Sequence, residues 1–160
     1  MPTTKKSSRR RAVASLANDV GVQRHQLFKA GYARITSAIA SGWYLEAIVL
    51  VESLLTDRFE SRLTHLTGTN VAFLNLGPLI DLVRANETNP LLTALVAGDI
   101  DSWRRRRNAA AHEMLKIEEG TAVPFEDRLG ALRLVAQDGV RLLRSYSKLA
   151  EKDRARGSVR

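Results

Sequence analysis

Glycine, proline and asparagine punctuate this chain at Gly42, Gly68, Asn89-Pro90, Gly98, Gly120 and Pro124, and between those marks apolar residues return every three or four positions. That period leaves one apolar face per segment, which is stable only when several segments bury their faces against one another. The spacing predicts a first helix over about 24–41, with Leu27, Phe28, Ile35, Ala38 and Ile39 inward and Gly42 just past its end. A second and longest helix is expected over about 43–66, ended by Gly68 and a loop through Asn75. Pro78 suits a first helical turn, so short helices are expected around 79–85 and 91–97, the second opened by Asn89-Pro90 and closed by Gly98. Asp99 or Asp101 can cap the next helix, which should stop near Gly120. Pro124, Glu126 and Asp127 then start a long helix with the stripe Leu129, Leu132, Ala136, Val140 and Leu143. The fold class that follows is all-α, an up-and-down bundle of about five to six helices.

Size and composition set limits on function. At 160 residues the chain has room for one ordinary core, and its 44% hydrophobic content is spread too evenly for a membrane span. Cysteine is absent, which removes disulfides, thiolate nucleophiles and cysteine-ligated zinc, and fits a reducing, cytoplasmic setting. The three histidines, His25, His65 and His112, lie far apart, so no histidine-rich metal site is expected, which leaves carboxylates as the one way to hold a divalent cation; nor is there a GxSxG elbow, a Walker loop or a GxGxxG turn. No cofactor is expected.

The formal charge of +8 sits mainly at the ends. Lys5, Lys6, Arg9, Arg10 and Arg11 crowd the start, and a basic excess returns after residue 147, which leaves the intervening body close to neutral. The expected organisation is a flexible basic tail over 1–20, a helical domain over 21–150 and a basic tail over 151–160. Such tails bind nucleic acid through phosphates without reading sequence, or stay solvated.

Inside the neutral body stands one dense cluster, Trp103 followed by Arg104, Arg105, Arg106, Arg107, Asn108, three alanines and His112. Guanidinium is a permanent, planar donor fork suited to phosphate oxygens, and imidazole is the side chain whose ordinary titration lies near neutral pH. Together they suggest RNA cleavage without a metal. The plainer reading is a solvated arginine face or a surface for an acidic partner, with Trp103 a core or interface anchor.

Arg107-Asn108-(Ala)3-His112 resembles the R-x(4–6)-H motif of the HEPN superfamily, small helical bundles that include metal-independent RNases of bacterial toxin and antiviral systems. The segment from Gly42 through Trp43, Glu46 and Ile48 to Leu55 resembles the preceding core helix of such domains, so the likeness spans roughly residues 24–147. It implies a homodimer with a composite site at the two-fold interface. There the RNA 2′-hydroxyl attacks the adjacent phosphorus, His112 moves the proton and Arg107 stabilises the added charge. Asn108 joins them as a site candidate, with Arg104, Arg105, Arg106 and Lys116 as nucleic-acid contacts, and an antitoxin or other defence-system protein as a further partner. Arg58 and His65 also fit the motif's spacing; Asn108, the small alanines and the nearby helix start favour His112. Toxins controlled by a nucleotidyltransferase carry a tyrosine two residues after the histidine, where this chain has Met114.

Helical geometry keeps alternatives open. At about 100° per residue, Arg107 and His112 stand about 140° apart, so Arg105, seven residues before His112, is a rival guanidinium. On the second helix Glu52 falls on the apolar side with Leu45, Ile48, Leu55, Phe59, Leu63 and Leu66, opposite Glu46, Ser53, Asp57 and Glu60. A carboxylate there needs a partner, which is an arginine or His112 at the site or a basic residue elsewhere. Two other functions stay open: a catalytically silent RNA- or DNA-binding module, and a protein-interaction domain of a toxin–antitoxin or defence complex.

Overall fold

The computed structural model describes residues 11–117, 119–120 and 122–157. The helices are α1 (Val20–Ala40), α2 (Tyr44–Thr67), α3 (Leu76–Asn86), α4 (Pro90–Ala94), α5 (Asp101–His112) and α6 (Phe125–Gly157). A π-helical turn, Leu95–Ile100, joins α4 to α5 without a break, so the molecule is an all-α bundle of five continuous rods. No helix among the described residues is long and apolar enough to cross a membrane.

Local chemistry explains most boundaries. Gly42 and Gly68 have φ of +78° and +68°, a left-handed conformation that ends α1 and α2 where a β-carbon would be strained. Asn89 accepts hydrogen bonds from the amides of Leu91 and Leu92, and Pro90 fills the first position of α4.

Helix α2 is the axis of the bundle, packing on α6, α1 and α3 through Ala47, Ile48, Val51, Leu54, Leu55, Phe59 and Leu63. From α6 come Leu132, Ala136, Leu143 and Tyr146, and from the π-turn rod Leu92, Val96, Ile100 and Trp103. Each Val, Leu, Ile or Phe among them, when fully buried, contributes about 1.5–3 kcal/mol relative to exposure. Trp103 fixes how α5 lies on α6: its Nε1 donates to the Val135 carbonyl at 2.8 Å, and its ring lies over Gly139.

Several expectations change. Gly98 does not close a helix; the π turn carries the chain through it, and the added residue per turn rotates the following segment. Neither Asp99 nor Asp101 caps α5; Ile100 precedes it, and Asp101 instead takes Arg104 and Arg105. Helix α5 stops at His112, well before Gly120, because Arg128 of α6 donates to the carbonyls of Glu113, Met114 and Lys116 and so satisfies chain that would otherwise continue the helix. Leu27 is exposed, since α1 meets α2 through Phe28, Ile35 and Ala38. Leu45 is exposed at the rim of α2, and Leu66 is half-buried. Glu60, expected on the polar side, is buried beside the Leu74 backbone; burial and the neighbouring Asp57 push its carboxyl above the ordinary range.

The folded body is wider than 21–150. Arg11 is buried against Asp57, and α6 carries 151–157. Residues 1–10 and 158–160 of the expected tails lie outside the described residues.

Candidate functional site

The tetra-arginine run lies on α5, where consecutive residues turn to different neighbours. Arg104, Arg107 and Asn108, spaced by three and four, face the start of α3 and the middle of α2. With Glu52, Asn75, Leu76, Gly77 and Pro78 they line a polar recess of about 370 Å³.

Its floor is an inter-helix ion pair. A terminal nitrogen of Arg107 donates to Glu52 Oε1, linking α5 to α2 across 55 positions of sequence. The side chains keep 16% and 24% of their exposure, so the pair is shielded from bulk water yet reachable from the recess. Arg107 Nε is buried and has no hydrogen-bond partner, an unfilled donor on the same guanidinium. Across the recess, the Asn75 side chain makes no capping bond to the first turn of α3.

The other arginines are tied down differently. Asp101 accepts from Arg104 Nε at 2.8 Å through one oxygen and from Arg105 Nη2 at 2.6 Å through the other. Burial alone would raise the Asp101 carboxyl, but these two guanidiniums outweigh it and hold it below the ordinary range. Arg105 is 73% exposed and points away from the recess. Arg106 turns to α6 and pairs with Asp138 at 2.9 Å; that hydrogen bond holds the Asp138 carboxyl low.

His112 occupies the last turn of α5, exposed and without a hydrogen bond or ion pair to any described residue. It does not line the recess that holds Arg107, as the angular separation on the helix requires. Asn108, one turn earlier, lies between them and does line it. Of the sequence candidates, then, Arg107, Asn108, Glu52 and Arg104 come together, while Arg105, Arg106, Lys116 and His112 do not join them within one chain.

Lys116 and Arg106 belong to a second hollow. Between the end of α5, the following loop and α6 runs a groove of about 700 Å³ with a mainly apolar lining, including Ala109, Ala110, Met114, Ile117, Val123 and Leu134. Of its lining, Ile117 is 84% and Leu134 63% exposed, and Leu115 and Phe125, neighbours of the lining in sequence, are exposed as well. Sequence reasoning missed this surface. Its signal in the sequence is the apolar Met114, Leu115 and Ile117, which a helix reaching Gly120 would have absorbed.

His25 and His65 are exposed, and among the described residues no three His, Cys, Asp or Glu side chains gather as a metal-holding group. Trp43 is half-exposed with the Arg34 guanidinium 5.1 Å above its ring, and Arg34 also pairs with Glu46. No family model, no curated protein and no solved structure matches this chain.

Proposed function

We propose that this protein is a HEPN-like, metal-independent endoribonuclease of a toxin or antiviral system, acting in the cytoplasm as a homodimer with a composite site. One observation carries the reading: among four adjacent arginines, Glu52 selects Arg107 and holds it at the wall of a polar recess, while His112 ends the same helix exposed and unpartnered. A guanidinium fixed by one carboxylate and lining a polar recess is prepared for a phosphate oxygen at its terminal nitrogens.

In this mechanism the RNA 2′-hydroxyl attacks the adjacent phosphorus, and the bond from phosphorus to the 5′-oxygen breaks. His112 takes the 2′-proton or delivers one to the departing 5′-oxygen, and Arg107 stabilises the extra negative charge on the phosphoryl oxygens. The products are a 2′,3′-cyclic phosphate and a 5′-hydroxyl. Because Arg107 and His112 face different ways on one helix, the pair that acts on one phosphate is Arg107 of one protomer with the imidazole of a second copy.

The apolar groove supports dimerisation. Leu115 and Ile117 project from the loop beside the hollow, so two copies related by a two-fold axis can each seat the other's knobs, and His112 stands three residues before Leu115. The same groove favours a second reading, a protein-interaction module whose partner, such as an antitoxin, fills it.

The test is cleavage of total RNA in excess EDTA by wild type, Arg107→Ala and His112→Ala, with product ends identified. Cyclic phosphate ends lost in both variants are expected. Mixing the two inactive variants should restore about a quarter of wild-type activity, since half the dimers are mixed and each has one intact composite site. No recovery on mixing would remove the shared site. A monomer in solution that still binds RNA and leaves it intact would favour the silent module.

A further inference from the structure

Arg104 has no role in the mechanism above, yet it lines the same recess and its orientation is set by a carboxylate of its own helix. Its Nε is bound to Asp101 Oδ1, which leaves its terminal nitrogens to point toward α3. There a β-carbon built on Gly77 would meet Arg104 Nη1 at 3.7 Å, so the guanidinium lies against the first turn of α3. Only 26% of its exposure remains. By contrast Arg105, held by the other oxygen of the same aspartate, is 73% exposed and open to solvent. One buried carboxylate thus sorts two neighbouring arginines, sending one to the recess and one to the surface.

Arg104 and Arg107 are separated by a rise of about 4.5 Å along one side of α5. Two guanidiniums one helical turn apart on the same side can meet neighbouring phosphates of one strand. Asn108 lies beside both and offers amide donors without added charge. A recess of about 370 Å³ with two oriented guanidiniums and an amide is large enough for a phosphodiester segment and too small for a folded helix of RNA.

We propose that the recess between α2, α3 and α5 is a two-phosphate seat for single-stranded RNA, in which Arg104 takes the phosphate next to the one held by Arg107. This rests on the reading of Arg107 as the guanidinium at the cleaved phosphate. The seat fixes the register of the strand: with the neighbouring phosphate on Arg104, the scissile phosphorus is held against Arg107 and away from the solvent-facing Arg105. Asp101 is then a positioning residue, since it reaches the strand only by orienting Arg104.

The experiment uses the full chain and a fully 2′-O-methylated oligoribonucleotide, which has no free 2′-hydroxyl and so binds without being cut. Affinity is measured across a salt series for wild type, Arg104→Gln, Arg104→Lys, Arg105→Gln and Arg107→Gln, each checked for an unchanged helical spectrum. Arg104→Gln should weaken binding about tenfold and flatten the salt dependence by about 0.7, the increment for one phosphate on a single strand. Arg104→Lys should keep the salt slope but recover only part of the affinity, because ammonium lacks the planar fork. Equal effects of Arg104→Gln and Arg105→Gln would overturn the seat, since charge alone would then explain both. An Arg104→Gln variant that binds as wild type while Arg107→Gln binds weakly would overturn the second position and leave the reading of Arg107 standing. Wild type that does not bind the oligomer at any salt concentration would overturn both.

Discussion

Two inter-helix arginine–carboxylate pairs divide this molecule into a region that is locked and a region that is left open. At one end Arg62 of α2 donates Nε and Nη2 to both oxygens of Glu87, at 2.7 and 2.6 Å, and Nη2 also to Asp153 of α6 at 2.7 Å. Glu87 accepts further from the Thr88 and Asn89 amides, and Asp153 from Asn89. Arg62 keeps 3% of its exposure and Glu87 none. At the other end Arg107 has one bond to Glu52, a bare buried Nε and a recess beside it. The same chemistry therefore serves opposite ends. A guanidinium shared by two carboxylates with water excluded fixes helix positions, even with its Nη1 left unpaired, whereas one held by a single carboxylate beside an open recess can also meet a ligand.

Substitutions at the two ends should separate these roles. The largest expected effect is on activity at the open end: His112→Ala lowers RNA cleavage by about 10²–10⁴-fold, and Arg107→Ala by about 10²–10³-fold, with urea midpoints close to wild type. If either variant loses cleavage only in proportion to lost folding, the open region is structural after all.

At the locked end, Arg62→Ala should cost about 3–5 kcal/mol in chemical denaturation, because it leaves Glu87 charged, buried and unpaired. Its cleavage per folded molecule should match wild type. A loss below about 1 kcal/mol, the value typical of exposed pairs, would show that water reaches this network.

Gly139→Ala offers a control between the two regions. The added carbon would stand 2.8 Å from Trp103 Cζ2, so α5 must shift against α6, at a cost of about 1–3 kcal/mol. Because α5 carries Arg104, Arg107 and His112, cleavage should fall as well; stability loss with unchanged turnover would show that the site tolerates movement of its helix.

The smallest effect is the acid response. Burial alone would raise Glu87, yet Arg62 and two backbone amides outweigh it and hold its carboxyl low; Asn89 and then Arg62 do the same for Asp153. Carboxyls held low in the folded state add stability that is present above the ordinary carboxylate range, near pH 4, and is lost as pH falls through their depressed values. Glu60, pushed up by burial and Asp57, runs the other way: its cost in stability builds up as pH rises from the ordinary carboxylate range through its raised value. Urea melts from pH 7 to pH 3 should show the acid loss in wild type and a shallower one in Arg62→Met, where the pair no longer exists.

The sequence supplied the all-α class, the two glycine-ended helices, the Asn89-Pro90 start and the need of Glu52 for a cationic partner, because each follows from local geometry or from one helix wheel. Period and capping are properties of neighbouring residues, so they are readable without a partner. Which arginine met Glu52 was not readable: Arg104, Arg105, Arg106 and Arg107 are chemically identical, and a π turn upstream sets the phase that turns Arg107 toward α2 and Arg106 toward Asp138. The stop of α5 at His112 was likewise hidden, since it depends on Arg128 reaching back from the next helix to take its carbonyls. The burial of Glu60 depends on a loop folding back beside it. Residue type and spacing thus decided which groups could handle a phosphate. Only packing, through helix phase and contacts distant in sequence, decided which of them share a recess.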